Sequence, residues 1–269
     1  VKGSPYTRKT GYQKAISHAI QAVKQSNYPN TLIGGPASAL VGEEQIGWML
    51  EDESIRSGVG VITFHDFDAE HYPHESVNKI RRVLKQFKRN LPIVRSSFVP
   101  EFNRNQGKPG TIHPVYVARH IIGAMKDGLE ACGLWEIQNK SGRDDVRYWF
   151  EGKNTVPTAN LYRMMSLTLG LGIDKNLIIH STGSFVDTLG ALNSDGVPVA
   201  VLVNKTKHEL EVIFKNLPIA RKATISIYRG DFEGDGKTPV ESMTRSIQNH
   251  QVSISLKGDG NTIYGIKIK

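Results

Sequence analysis

The feature that most constrains this chain is a change of period. From residue 12 to about 170, helix-period and strand-type segments alternate, and after 175 only short, alternating strand-type segments follow. Tyr12, Ile16, Ala19, Ile20 and Val23 recur at helical spacing until Tyr28-Pro29-Asn30 stops them. Strands are expected at Thr31–Ile33, closed by Gly34-Gly35-Pro36, at Val59–Phe64, at Leu91–Ser97 and at Ala131–Ile137. Helices are expected over 43–56, 75–89, 114–127 and 158–170. Crossovers of that length are what parallel strands require. The later segments are Leu177–Ile179, Val186–Leu189, Val199–Val203, Glu209–Phe214, Ala223–Tyr228, Val252–Leu256 and Thr262–Ile268. Turn clusters such as Asn193-Ser194-Asp195-Gly196 separate them, a pattern that predicts an antiparallel β-sandwich.

Composition narrows the class without naming a function. Hydrophobic content of 39% and charged content of 22% fit a folded globular chain and exclude gross disorder. No apolar run is long enough to cross a bilayer, so a membrane is not an expected partner. Cys132 is the sole cysteine, which excludes an internal disulfide framework and a cysteine-based zinc cluster. The compartment stays open, with an extracellular or cell-surface setting favoured. The net charge is +8, and Arg81, Arg82, Lys85, Lys88 and Arg89 gather in one helical segment. They alternate with Val77, Ile80, Val83, Leu84 and Phe87, as on the solvated face of a helix whose other face is buried. No recognised nucleic-acid module accompanies them, so nucleic acid is not the expected partner.

Four βα units are too few for a closed (β/α)8 barrel, and a parallel sheet needs both faces covered. Two readings remain open on the residues alone: an open α/β sheet with a sandwich, or the second half of a barrel.

Several segments resemble clan A glycoside hydrolases, and in particular the family of β-xylosidases and α-L-iduronidases. Gly11-Tyr12 through Val23-Lys24, then Leu32-Ile33-Gly34-Gly35-Pro36-Ala37, is similar to the helix and fifth strand of that barrel. Val61-Ile62-Thr63-Phe64-His65 resembles the sixth strand, Leu91-Pro92-Ile93-Val94 the seventh, and Leu134-Trp135-Glu136 the eighth. Val156-Pro157 before Leu161-Tyr162 resembles the start of the last helix, and Val199–Asn204 a strand of the following sandwich. The resemblance implies strands five to eight of a (β/α)8 barrel over residues 1–174 and a β-sandwich over 175–269. It also implies that an N-terminal half, in this or another chain, completes the barrel.

The same resemblance implies retaining hydrolysis of O-glycosyl bonds in an oligo- or polysaccharide, which needs two carboxyl groups about 5–5.5 Å apart and no cofactor. The family's acid/base, a Glu after an Asn at the end of strand four, has no counterpart before Gly34. Counting from Leu91-Pro92-Ile93, the nucleophile position falls on Ser97. Pro100-Glu101-Phe102-Asn103 resembles the nucleophile motif displaced by four residues, which makes Glu101 the catalytic candidate. Its competing reading is a solvated loop carboxylate.

His65 would contact a sugar hydroxyl or orient the nucleophile, or else sit as a satisfied core histidine. Trp135 would stack on a sugar ring or fill the core. Glu136, also a substrate-binding candidate, points opposite to Trp135, so only one of the two faces the interior. Tyr148-Trp149-Phe150 would line a cleft or anchor the sandwich. Asp66, Asp68, His71 and His74 beside His65 match no metal-ligand spacing, and no metal is expected. Asn139-Lys140-Ser141 and Asn204-Lys205-Thr206 fit the glycosylation sequon. The competing class is a non-catalytic carbohydrate-binding or structural protein with a degenerate glycosidase fold, favoured by Ser97 and by the missing acid/base.

Overall fold

The computed structural model describes residues 8–38, 43–69, 73–100, 114–134, 150–151, 154–155, 157–171, 176–177, 186–218, 221–231 and 233–269. The architecture is mixed: one parallel sheet among helices, and antiparallel sheets. The chain divides into two compact units, Val1–Ala69 with Pro73–Glu101 and Leu129–Leu134, and Glu70–Tyr72 with Phe102–Gly128 and Trp135–Lys269. Among the described residues no helix is long and apolar enough to cross a membrane.

The first unit begins with α1 (Lys9–Lys24), followed by β1 (Ile33–Ser38), α2 (Glu43–Glu51), α3 (Glu53–Gly58), β2 (Val59–Ala69), α4 (His74–Gln86), β3 (Ile93–Pro100) and β4 (Ala131–Leu134). The strands lie in the order β1-β2-β3-β4, all parallel. β1 departs from expectation, because it runs through Gly34-Gly35-Pro36 instead of ending there. Among the described residues β1 pairs with β2 alone, and strands with one paired side are where proline is tolerated. Gly35 has a packing reason. A Cβ there would come within 2.7 Å of the Tyr12 hydroxyl, which donates to Met49 Sδ at 3.4 Å. Burial pushes the Tyr12 phenol up to about 12.

The expected helix over 43–56 is two helices. Asp52 divides them: its Oδ1 accepts from the backbone N–H of Ser54 (2.9 Å) and Ile55 (3.2 Å) and caps α3. These bonds hold the Asp52 carboxyl below its ordinary range, the Ser54 hydroxyl first among them. In α4, Val77, Ile80 and Leu84 are buried while Arg81, Arg82 and Lys85 are exposed, the amphipathic arrangement read from the sequence.

Parallel partners place their side chains on the same face. Gly35, Ile62, Phe64, Ile93 and Arg95 share the face that meets Tyr12 and Met49, and all five are buried. Val61, Thr63, His65 and Val94 take the opposite face and are only half-buried. Each fully buried aliphatic or aromatic side chain on the helix-facing side stabilises the sheet by about 1.5–3 kcal/mol.

In the second unit α5 (Pro114–Lys126) packs on other elements of that unit and is buried round most of its circumference. A short hairpin, β5 (Phe150–Glu151) with β6 (Asn154–Thr155), precedes α6 (Pro157–Tyr162). α6 continues into a π-helical turn over Arg163–Thr168, where the Leu169 N–H donates to the Met164 carbonyl at 2.9 Å.

The remaining strands are β7 (Asn176–Leu177), β8 (Val186–Leu192), β9 (Pro198–Asn204), β10 (Leu210–Phe214), β11 (Lys222–Arg229), β12 (Glu241–Ser246), β13 (Val252–Leu256) and β14 (Thr262–Ile268). Six of them form an antiparallel sheet ordered β12-β11-β14-β9-β8-β7, and β10 pairs with β13. One core joins the two sheets: Leu202, Ile225, Ile227, Tyr264 and Ile266 meet Phe214, Val252, Ile254 and Leu256. β9 is buried along its whole length, which explains its unbroken apolar run. β12, with Met243 as its one apolar residue, carries no period a sequence reading can detect.

Candidate functional site

The sheet of the first unit gathers its polar side chains toward the C-terminal ends of β2 and β3. A bulge sets their geometry. Phe64 pairs with Arg95 but His65 pairs with Ser97, so β3 carries Ser96 as an extra residue. β4 registers the same insertion, since Arg95 opposes Cys132 and Phe98 opposes Leu134. Gly133 makes room for it; a Cβ there would come within 2.7 Å of the Ser96 carbonyl oxygen.

The bulge turns Ser96 outward onto His65. Ser96 Oγ lies 3.0 Å from His65 Nδ1 and donates to the Phe64 carbonyl at 3.1 Å. A carbonyl only accepts, so the single hydroxyl proton goes to Phe64 and Nδ1–H donates to Ser96. In the neutral ring this tautomer has its acceptor nitrogen at Nε2. This arrangement suits a histidine that receives a hydrogen bond from a hydroxyl.

Arg95, next to the bulge, is wholly buried on the helix-facing side. Sequence reading missed both Arg95 and Ser96, because an extra residue in a strand leaves no mark in hydrophobic periodicity.

The nucleophile position counted from Leu91-Pro92-Ile93, Ser97, is 9% exposed and lies opposite His65 in register. β3 runs on to Pro100, the residue before Glu101. Glu101, Trp135 and Glu136 lie outside the described residues, as do Asn139, His71 and the Tyr148-Trp149 pair. Asp66 and Asp68 belong to β2, not to a loop, and His74 opens α4. Among the described residues no group of His, Cys, Asp and Glu gathers as a metal site.

Asn204 of the second sequon is an internal residue. It is wholly buried; its Oδ1 accepts from the Thr206 N–H at 2.9 Å and its Nδ2 donates to the His208 carbonyl at 3.2 Å. A folded chain does not present it for glycosylation.

No protein-family profile and no curated protein sequence matches the chain. Solved structures do. A glucosidase from Croceicoccus marinus is 12% identical with a TM-score of 0.75, over 97% of this chain and 65% of its own. The N2152 protein from Neocallimastix frontalis is 13% identical with a TM-score of 0.70, over 97% and 67%. The glycoside hydrolase family 30 subfamily 8 xylanase Xyn30A from Clostridium acetobutylicum is 15% identical with a TM-score of 0.68, over 96% and 60%. The chain thus spans about two thirds or less of the length of these structures. The glucosidase and the xylanase are clan A glycoside hydrolases, the group the sequence motifs resemble. At such identities the likeness establishes the fold: this chain has a glycoside-hydrolase-like α/β architecture.

Proposed function

We propose that the chain is part of a retaining glycoside hydrolase acting on O-glycosyl bonds of an oligo- or polysaccharide. The observation that carries this reading is the likeness of nearly the whole chain, 96–97% of it, to glycosidases of one clan. In this reading β1 to β4 are strands five to eight of a (β/α)8 barrel within residues 1–174, and residues 175–269 form the sandwich. α5 would serve the barrel by its place in the chain order, although its contacts lie in the second unit.

The half-buried Val61, Thr63 and Val94 support a barrel completed by earlier strands, since parallel sheets are normally covered on both faces. Those strands, and the acid/base with them, would come from sequence outside these 269 residues or from another chain.

Glu101 is the proposed nucleophile. It follows β3 directly, and active-site residues of such barrels sit at the C-terminal ends of strands. His65, held in one tautomer by Ser96, would accept a hydrogen bond from a sugar hydroxyl or hold the nucleophile in place. Trp135 would offer a stacking face and Glu136 a polar contact to the sugar.

The test is hydrolysis of aryl glycosides and xylan by the chain with its N-terminal half supplied, and by the same assembly carrying Glu101→Gln, with glycan binding measured on both. Turnover lost in the variant with binding kept supports the assignment. Turnover retained by the variant rejects it.

A second reading rests on Ser97, whose buried hydroxyl stands at the counted nucleophile position and cannot supply a carboxylate's charge. It is a non-catalytic carbohydrate-binding or structural protein. Saturable glycan binding by a chain that never turns over, with its missing half supplied, favours this reading.

A further inference from the structure

The outer edge of the six-stranded sheet carries a strand complementary to itself. β12 ends that sheet, and among the described residues no strand pairs along its far side. The backbone alternation of the edge can be read from its neighbours. Thr224 exchanges both backbone hydrogen bonds with Lys269, at 2.7 and 2.9 Å, on the β14 side of β11. Ala223, Ile225 and Ile227 therefore turn their backbone groups toward β12, where they meet Arg245, Met243 and Glu241. The bond from Ile247 N–H to the Arg221 carbonyl, 2.8 Å, keeps the same alternation. Ser242, Thr244 and Ser246 are left to aim their N–H and C=O groups away from the sheet.

The side chains follow the opposite alternation. Glu241, Met243 and Arg245 share the face of Ala223, Ile225 and Ile227, which are core residues. At the edge they line an open groove of about 670 Å³ between β12 and β13, with Ile213 half-exposed beside them. Met243 packs against the core, and Arg245 Nε donates to Met243 Sδ at 3.3 Å. Among the described residues neither Glu241 nor Arg245 has an ion-pair partner in its own chain. The strand itself has no proline and no lysine, its register against β11 is unbroken over Glu241–Ser246, and its only charges are Glu241 and Arg245, of opposite sign.

We propose that two copies of the chain associate through antiparallel pairing of β12 with β12 about a twofold axis at Met243. In that register Ser242 and the partner's Thr244 exchange backbone bonds, as do Thr244 and the partner's Ser242. Glu241 stands opposite the partner's Arg245, and Arg245 opposite the partner's Glu241, at the closely spaced non-hydrogen-bonded positions. Met243 meets its own copy and extends both cores.

The register is unique in this respect. A one-residue slip opposes outward-facing backbone to inward-facing backbone. A slip that moves the twofold axis by one residue in either direction sets Glu241 against Met243 or Ile247. The interface is isologous, as twofold symmetry requires. The occupant is thus specified by charge: the segment Glu241-Ser242-Met243-Thr244-Arg245 is its own complement.

Sedimentation velocity across a concentration series tests this on the full chain. The unsubstituted chain is expected to show a reversible monomer–dimer equilibrium. Glu241→Arg or Arg245→Glu alone turns two attractive contacts into repulsive ones and weakens association by about tenfold or more. Mixing the E241R chain with the R245E chain restores association, because every cross-strand pair is again opposite in sign. The E241R/R245E double variant also restores it.

Thr244→Pro removes an outward N–H without touching a bond to β11, and it abolishes dimerisation. A readout free of substitution is hydrogen exchange, in which the Ser242 and Thr244 amides gain protection as concentration rises. A chain monomeric at every concentration overturns the proposal. So does association indifferent to the single charge reversals, or a mixture that fails to restore it.

Discussion

At the scale of single residues, the structure turns on small groups that hold a backbone feature in place. Ser96 both satisfies the Phe64 carbonyl and fixes the His65 ring. Ser96→Ala removes both contacts at an exposed position and should cost about 0.5–1 kcal/mol, read as a lower midpoint in urea unfolding. Gly35→Ala pushes a methyl against the Tyr12 hydroxyl and should destabilise by about 1–3 kcal/mol. Adding Tyr12→Phe should recover part of that loss, because the clash is with the hydroxyl itself.

Tyr12 also gives a pH signature. Its ionisation is raised to about 12, so the stabilisation it represents is complete below pH 10 and is lost as the pH rises toward 12. A chain carrying Tyr12→Phe should show a shallower fall of stability across that interval, followed by alkaline unfolding.

At the scale of elements, side-chain capping and edge position override hydrophobic period. The amphipathic α4 was legible because Val77, Ile80 and Leu84 keep helical spacing between basic residues. The break between α2 and α3 was not, because apolar spacing continues through 43–56 while the Asp52 side chain competes for the backbone N–H groups. Asp52 titrates below its ordinary value, so its cap is intact above the unfolded carboxylate range and is lost as the pH falls through its lowered value. Asp52→Ala should lower the thermal midpoint at neutral pH and flatten the decline of stability in acid.

β1 and β12 illustrate two further limits of sequence. Gly-Gly-Pro reads as a strand end, yet β1 continues through it in parallel register with β2. Glu-Ser-Met-Thr-Arg-Ser has no apolar alternation, yet pairing with β11 makes it a strand. At the site, His65 was legible as the polar end of an apolar strand, while its partner Ser96 was hidden by the bulge.

At the scale of the whole molecule, ordered weak motifs carried more information than any one of them. "GGPA", a strand ending in His65 and the Leu-Pro-Ile approach to β3 are each common, but their order matches the strand order β1-β2-β3 found in the sheet. The fold likeness to glycosidases is consistent with that order, at identities too low for sequence profiles to register. Chemistry is a separate matter, since a fold hosts many functions and the site decides.

In the proposed function Glu101, directly after β3, is the glycosidic nucleophile. That assignment is tested most directly with dinitrophenyl 2-deoxy-2-fluoro glycosides of xylose and glucose. Dinitrophenolate departs without protonation, so trapping needs the nucleophile and no acid/base: a carboxylate oxygen bonds to the anomeric carbon as the phenolate leaves. Peptide mapping of the intact chain after incubation should place one glycosyl ester on Glu101, absent from the Glu101→Gln variant. An unlabelled chain that still binds glycan, or an ester on another residue, would rule Glu101 out as the nucleophile.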